Sequence, residues 1–267
     1  MDKEFNRQIK RLNKKEQRIL NRKENKLIQS KIAPIINQIQ GKIPDKLKLA
    51  LENAFSKGFQ LVFEKGDVYI EKTYKKDQIK LEYDLNNYAM DKALSKKYIK
   101  RLDKQANYSK ILNTSFTVLE GGVLGFFGIG LPDIPLFIAV IMRTIYEAAL
   151  SYGYDYKSDE EKAYILLMIC GAMSQGEKQK KFNEQINRLG NRIDQQMETE
   201  IDLKSQMIET AGILAEAMLV GKFVQGIPVV GVVGGVVNYT IVKKIAKYTG
   251  IKYKKRYLLR KARDREL

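Results

Sequence analysis

Residues 133–173, DIPLFIAVIMRTIYEAALSYGYDYKSDEEKAYILLMICGAM, decide the fold, because they set two apolar runs of helical character on either side of a short polar joint. Asp133 precedes the first run, Leu136–Leu150, where a carboxylate favours the positive end of a helix. Inside that run Arg143 and Glu147 stand four apart among Ile141, Met142, Ile145 and Ala148, so their side chains meet on one helix face. Ser158 and Glu161 supply the two ends of a capping box, and the run after them, Ala163–Met173, is apolar nearly all round, as a core helix is.

Upstream lies a segment of different character. Val118–Val140 holds five glycines between Gly121 and Gly130, then Pro132 and Pro135. Glycine at that density is costly inside an ordinary helix, and the Gly121/Gly125 spacing lets helices approach closely. A matching segment follows downstream, where Phe223–Val242 is 20 residues long and carries no charge, the length of a membrane span. Pro228 and four glycines interrupt it, so two short helices broken at Gly226–Pro228 are expected rather than one span, with a strand reading of VVGVVGGVV left open. Gly231 and Gly235 repeat the small-residue spacing, so the two segments are suited to pack on each other.

The remaining stretches are helical by spacing. Phe5, Ile9, Leu12, Ile19, Leu27 and Ile28 make a narrow stripe that predicts no more than a surface helix over 1–31. Leu47, Leu51, Phe55, Phe59, Val62 and Phe63 share a face of a stronger helix, with Asp45 as its expected cap and Gly66 its expected end. Helical stretches are expected around 70–74 and 81–94, and Phe182, Ile186, Leu189, Ile193, Met197 and Ile201 mark an amphipathic helix within 178–204. The fold class is therefore all-α: a multi-helix bundle with two Gly-rich apolar helical hairpins in its core. A basic N-terminal helical region, 1–110, and a helical core with a basic C-terminal tail, 111–267, form one compact unit.

Composition narrows the chemistry. The chain has 267 residues, 44% of them hydrophobic, enough for one large core. It contains no histidine, which excludes a Ser-His-Asp hydrolase, a Cys-His protease, a histidine phosphorelay and the common zinc sites. One cysteine, Cys170, precludes an intrachain disulfide, and a reducing compartment fits. The start is charged throughout, unlike a secretory signal, so the mature protein is expected to begin near Met1.

The formal charge of +17 is uneven: residues 1–110 carry +13, residues 243–267 carry +9, and the stretch between carries −5. A neutral centre with basic ends suits phosphates, on lipid or nucleic acid. Lys243, Lys244, Lys247, Lys254, Lys255 and Arg256 follow directly on the most apolar segment, the place where anionic headgroups attract basic residues.

Four quoted stretches together resemble the EcsC family of bacterial proteins: LEGGVLGFFGIGLPDIPLFIAVIMRTIYEAALSYGYDY, EEKAYILLMICGAMSQGE, KFVQGIPVVGVVGGVVNYTIVKKIAKY and KYKKRYLL, spanning roughly 115–260. The glycine-rich approach to PDIP, the Arg143–Glu147 spacing and SYGYDY carry the resemblance, and the Lys-rich N-terminal region adds only compatible helices. The family takes its name from a gene found beside those of an ABC exporter, so the resemblance implies an ABC transporter component as partner, and it supplies no cofactor or reaction to carry over to this chain.

The leading expectation is a cytoplasmic protein, peripherally attached to an anionic lipid surface, that acts by docking. The enzymatic alternative is carboxylate chemistry with Mg²⁺ or Mn²⁺, a hydrolase for instance, for which Asp133, Glu147, Asp155, Glu160 and Asn238 are candidates and Arg143 with Lys243 could hold an anionic substrate. Specific nucleic-acid recognition lacks any motif, which leaves charge-driven binding alone. Membrane insertion or pore formation follows if the glycine-rich hairpins enter lipid. The oligomeric state has no sequence signal.

Overall fold

The computed structural model describes residues 3–21, 44–92, 96–106, 111, 133–224 and 235–264. Both glycine-rich stretches, 118–132 and 225–234, lie outside the described residues, as does the side chain of Asp133. Among the described residues every regular element is a helix, so the architecture is an all-α bundle. In chain order the elements are α1 (Lys3–Leu20), α2 (Asp45–Leu61), α3 (Asp67–Glu71), α4 (Lys76–Lys92), α5 (Lys96–Gln105), α6 (Asp133–Ser151), α7 (Asp159–Met173), α8 (Gly176–Asp194), α9 (Leu203–Val224) and α10 (Gly235–Asp264).

Helices α6 and α7 form the centre. Ile138, Ile141, Met142 and Ile145 of α6, with Ile165, Leu166, Met168 and Ile169 of α7, are fully buried, as the absence of a polar face on either run requires. By length and hydropathy Ile134–Ser151 could cross a membrane, but 89% of it is buried within the protein, the mark of a core helix. Around this pair, α2 packs on α9 and α6, α8 and α9 pack on α7, and α10 crosses α6 and α7.

The joint between α6 and α7 is a Schellman cap. Gly153 has φ +75°, its amide donates to the Leu150 carbonyl at 3.0 Å and the Tyr154 amide to that of Ala149 at 3.0 Å. A Cβ there would also stand 2.1 Å from the Tyr83 ring. Gly153→Ala is therefore expected to cost about 2–3 kcal/mol from the left-handed backbone and the collision together, read as a lower urea midpoint at unchanged slope. Ser158 then caps α7, its Oγ accepting from the Glu161 amide at 3.2 Å.

Three local expectations need correction. Asp45 is the first residue of α2 rather than its cap, since Pro44 holds that position with no side-chain bond. Gly66 does not end the helix: a wide π-turn over Val62–Gly66 carries the chain into α3, which aims Asp67 at the Tyr146 hydroxyl (2.6 Å) and Glu71 at that of Tyr156 (2.7 Å). The rings of Tyr146 and Tyr156 stack at 3.7 Å, so this detour has a packed purpose. Finally, α1 is no mere surface helix, because Phe5, Leu12, Glu16 and Leu20 are buried along one side of it against α10 and α8.

Candidate functional site

Of the residues proposed for carboxylate chemistry, Arg143 and Glu147 are brought together, Nε to Oε1 at 2.8 Å, in a largely buried pair on α6. Asp155 is exposed in the α6–α7 joint, where it accepts from the Lys157 amide at 3.0 Å. Glu160 is half-buried in the first turn of α7, and Asn238 is buried near the start of α10. Among the described residues no group of three acidic or cysteine side chains is placed to hold a metal ion. Cys170 is buried against the Thr210 hydroxyl at 3.2 Å, and burial pushes its thiol up to about 12, which leaves no thiolate for chemistry.

The C-terminal basic stretch divides in two. Lys243, Lys244 and Lys247 are exposed on the first half of α10, with Lys243 over the Tyr239 ring. Lys254, Lys255 and Arg256, expected to face an outer surface, turn inward instead. Lys254 pairs with Asp103 of α5 at 2.7 Å, Lys255 with Glu16 of α1 at 2.6 Å, and Lys261 with Asp91 of α4 at 2.7 Å. Arg256 is buried: it meets both Glu161 oxygens at 2.8 and 2.9 Å and Asp194 of α8 at 2.9 Å, between the rings of Tyr154 and Tyr164. Burial alone would lower its pKa, but Glu161, then the two tyrosines and Asp194, raise it above the ordinary guanidinium value. Far from a tail, α10 is a clasp to which five other helices each bring one carboxylate. The physical reason is desolvation: a buried cation without such partners would not be tolerated.

Lys252 is buried more deeply still. Its ammonium donates to Glu16, Asn183 and Asn187, and burial lowers its pKa to about 8 against the pull of Glu16. For Glu16, burial works upward, and the ammonium groups of Lys252 and Lys255 outweigh it, holding the carboxyl below its usual range. Glu16 thus fastens α1 to α10.

Two cationic surfaces result. With Glu16 turned inward, α1 presents Arg7, Lys10, Arg11, Lys14, Lys15 and Arg18 outward, all exposed. Beside it, α8 and α10 enclose a cleft of about 530 Å³ whose charged lining is Arg188, Arg192, Lys252, Lys255, Arg256 and Arg263 against the single carboxylate Asp194. Gly190 sets the close approach of the cleft's α8 wall to α7, since a Cβ there would meet the Tyr164 ring at 2.8 Å. The α1 face was invisible to a reading that scored only an apolar stripe; its signal is six basic residues spaced three or four apart opposite Phe5, Leu12 and Leu20.

With this architecture in view, the family model of the EcsC protein family matches residues 6–258. The chain belongs to the EcsC protein family. The EcsC match begins within α1 and runs to Leu258 in α10, so the two helices clasped by Glu16 are both part of the family unit, and the Lys-rich N-terminal region belongs to it as fully as the stretch from 115 onward. No curated protein and no solved structure matches the chain.

Proposed function

We propose that this EcsC protein is a peripheral accessory protein of the cytoplasmic membrane face, docked on anionic lipid by the outer side of α1 and serving an exporter of the ABC type. The observation that carries the reading is the concentration of charge on that face: six exposed cations among the described side chains of one helix, with Glu16 buried beneath them. A helix face that exposes this many cations is suited to a surface of negative headgroups, where each Lys or Arg contributes about 1 kcal/mol at low salt. The exposed Lys243, Lys244 and Lys247 add to the charge available at the start of α10. The single buried cysteine accords with a reducing compartment.

Flotation with phosphatidylglycerol vesicles tests this. The wild-type protein is expected to float at low ionic strength, to dissociate as salt shortens the Debye length, and to ignore phosphatidylcholine vesicles. Substituting Lys10, Arg11, Lys14 and Arg18 together by glutamine removes four exposed charges without touching the buried side, and should weaken binding roughly a thousandfold. Unchanged flotation of that variant sinks the α1 assignment; equal binding to duplex DNA and vesicles reduces the reading to charge alone.

A further inference from the structure

The cleft between α8 and α10 is distinct from the outer face of α1 in construction. Its α8 wall presents Asn187, Arg188, Asn191 and Arg192, two adjacent pairs one turn apart, and its α10 wall presents Lys255, Leu259 and Arg263. The charges do not cancel. Arg256 and Arg263 share Asp194, Arg256 also has Glu161, and Lys252 with Lys255 shares Glu16, so six cations are set against three carboxylates. Arg188 is exposed and has no acidic partner among the described residues. The excess of three positive charges sits beside carboxamides able to donate, a combination that selects an anion carrying more than one charge.

The lining is also apolar where it is open. Leu259 is 42% exposed and Met197 is 48% exposed, with Tyr164 and Ile186 behind them. A volume of about 530 Å³ is far more than an isolated phosphate fills and falls in the range of sites for small organic molecules. Charge at one wall and exposed hydrocarbon at the mouth define a ligand with the same division.

We infer that this cleft binds a phosphomonoester joined to an apolar body, the chemistry of a phosphatidic-acid headgroup or of a free phosphorylated amphiphile. The phosphate sits against Arg188, Arg192 and Arg263, and the apolar portion lies along Leu259 and Met197. The inference rests on the membrane reading only for a bilayer as the source of the phosphate; the cleft itself uses none of the α1 face.

The test is calorimetric titration of the full chain with dihexanoyl phosphatidic acid below its micelle concentration, with inorganic phosphate and dihexanoyl phosphatidylcholine as controls. Saturable binding of the phosphatidic acid alone is expected. Arg188→Gln, at an exposed and unpartnered site, should weaken it about tenfold, and Leu259→Ser should weaken it while sparing the fold. The fourfold α1 variant should bind the soluble lipid as the wild type does, so a failed vesicle assay and a failed cleft are told apart. An Arg188→Gln effect that also appears on vesicles containing phosphatidic acid assigns the bilayer as source, and one confined to the soluble lipid assigns a free amphiphile. Equal affinity for phosphatidylcholine or for inorganic phosphate, or an unaffected Arg188→Gln protein, overturns the assignment.

Discussion

Arg256→Ala is expected to destabilise the protein by about 3–5 kcal/mol, the usual cost of breaking a buried charge pair by removing one partner. The loss is large because one guanidinium serves two carboxylates. Without it, Glu161 and Asp194 remain in the interior, both of them only a few per cent exposed at the side chain, and their other hydrogen-bonding partners are too few to replace it. Tyr253 still donates to Glu161 at 2.8 Å, and Arg263 stands 3.7 Å from Asp194, so part of the charge stays compensated and the upper end of the range is not exceeded. The aromatic contacts at 4.2 and 4.8 Å from Tyr154 and Tyr164 are lost with the same side chain. Arg256→Lys separates the contributions: it retains a positive charge but cannot span both carboxylates in the planar geometry, and should recover less than half of the loss. Urea unfolding followed by circular dichroism measures both, and an alanine variant within 1 kcal/mol of wild type would show that the network does not hold the bundle together.

The same arginine shows where sequence reading reaches its limit. Helices α6 and α7 were legible because their apolar residues follow one another too closely for any other element, and because Ser158 marks a start. The Arg143–Glu147 pair was legible because both residues lie on one helix, four apart. Glu161 and Arg256 are 95 residues apart, so no local spacing relates them. Summing charge over blocks of sequence made residues 243–267 look like a basic tail facing anionic headgroups, since such a sum cannot separate a cation facing outward from one facing in. The distinction lies in phase: Lys252 and Arg256 fall on the side of α10 that also buries Ile245, Thr249 and Tyr253, whereas Lys243 and Lys247 do not. Glu161 was read as half of a capping box, and only its amide takes that part; its carboxylate leaves the helix start for Arg256. In α1 the buried positions 5, 12, 16 and 20 recur at helical intervals, but a stripe drawn from apolar residues alone passes over Glu16.

That overlooked glutamate supports the second large effect. Glu16→Gln leaves Lys252 and Lys255 facing each other without a counter-charge, and should cost about 2–4 kcal/mol, less than the Arg256 loss because the amide can still accept one hydrogen bond. The damage should be local. Apart from Glu16, Phe5, Leu12 and Leu20 attach α1 through its contacts with α10 and α8, so hydrogen exchange should quicken over residues 5–20 while α6 and α7 keep their protection. Acid should imitate the variant. The Glu16 carboxyl is held below its ordinary range in the folded chain, so its contribution is complete above the unfolded value and is lost as pH falls through the folded one. Lys252 acts with the opposite sign at the alkaline end: burial lowers its pKa to about 8 from 10.5, the unfolded chain binds the extra proton between those values, and the term favours the folded state increasingly across that window. Exchange of the α1 amides, corrected for the intrinsic dependence on pH, should therefore accelerate as the solution is acidified below the carboxylate range and should not accelerate between pH 8 and 10. Release at the alkaline end would mean that the ammonium of Lys252, rather than the carboxylate between the two lysines, is what fastens α1 to the clasp.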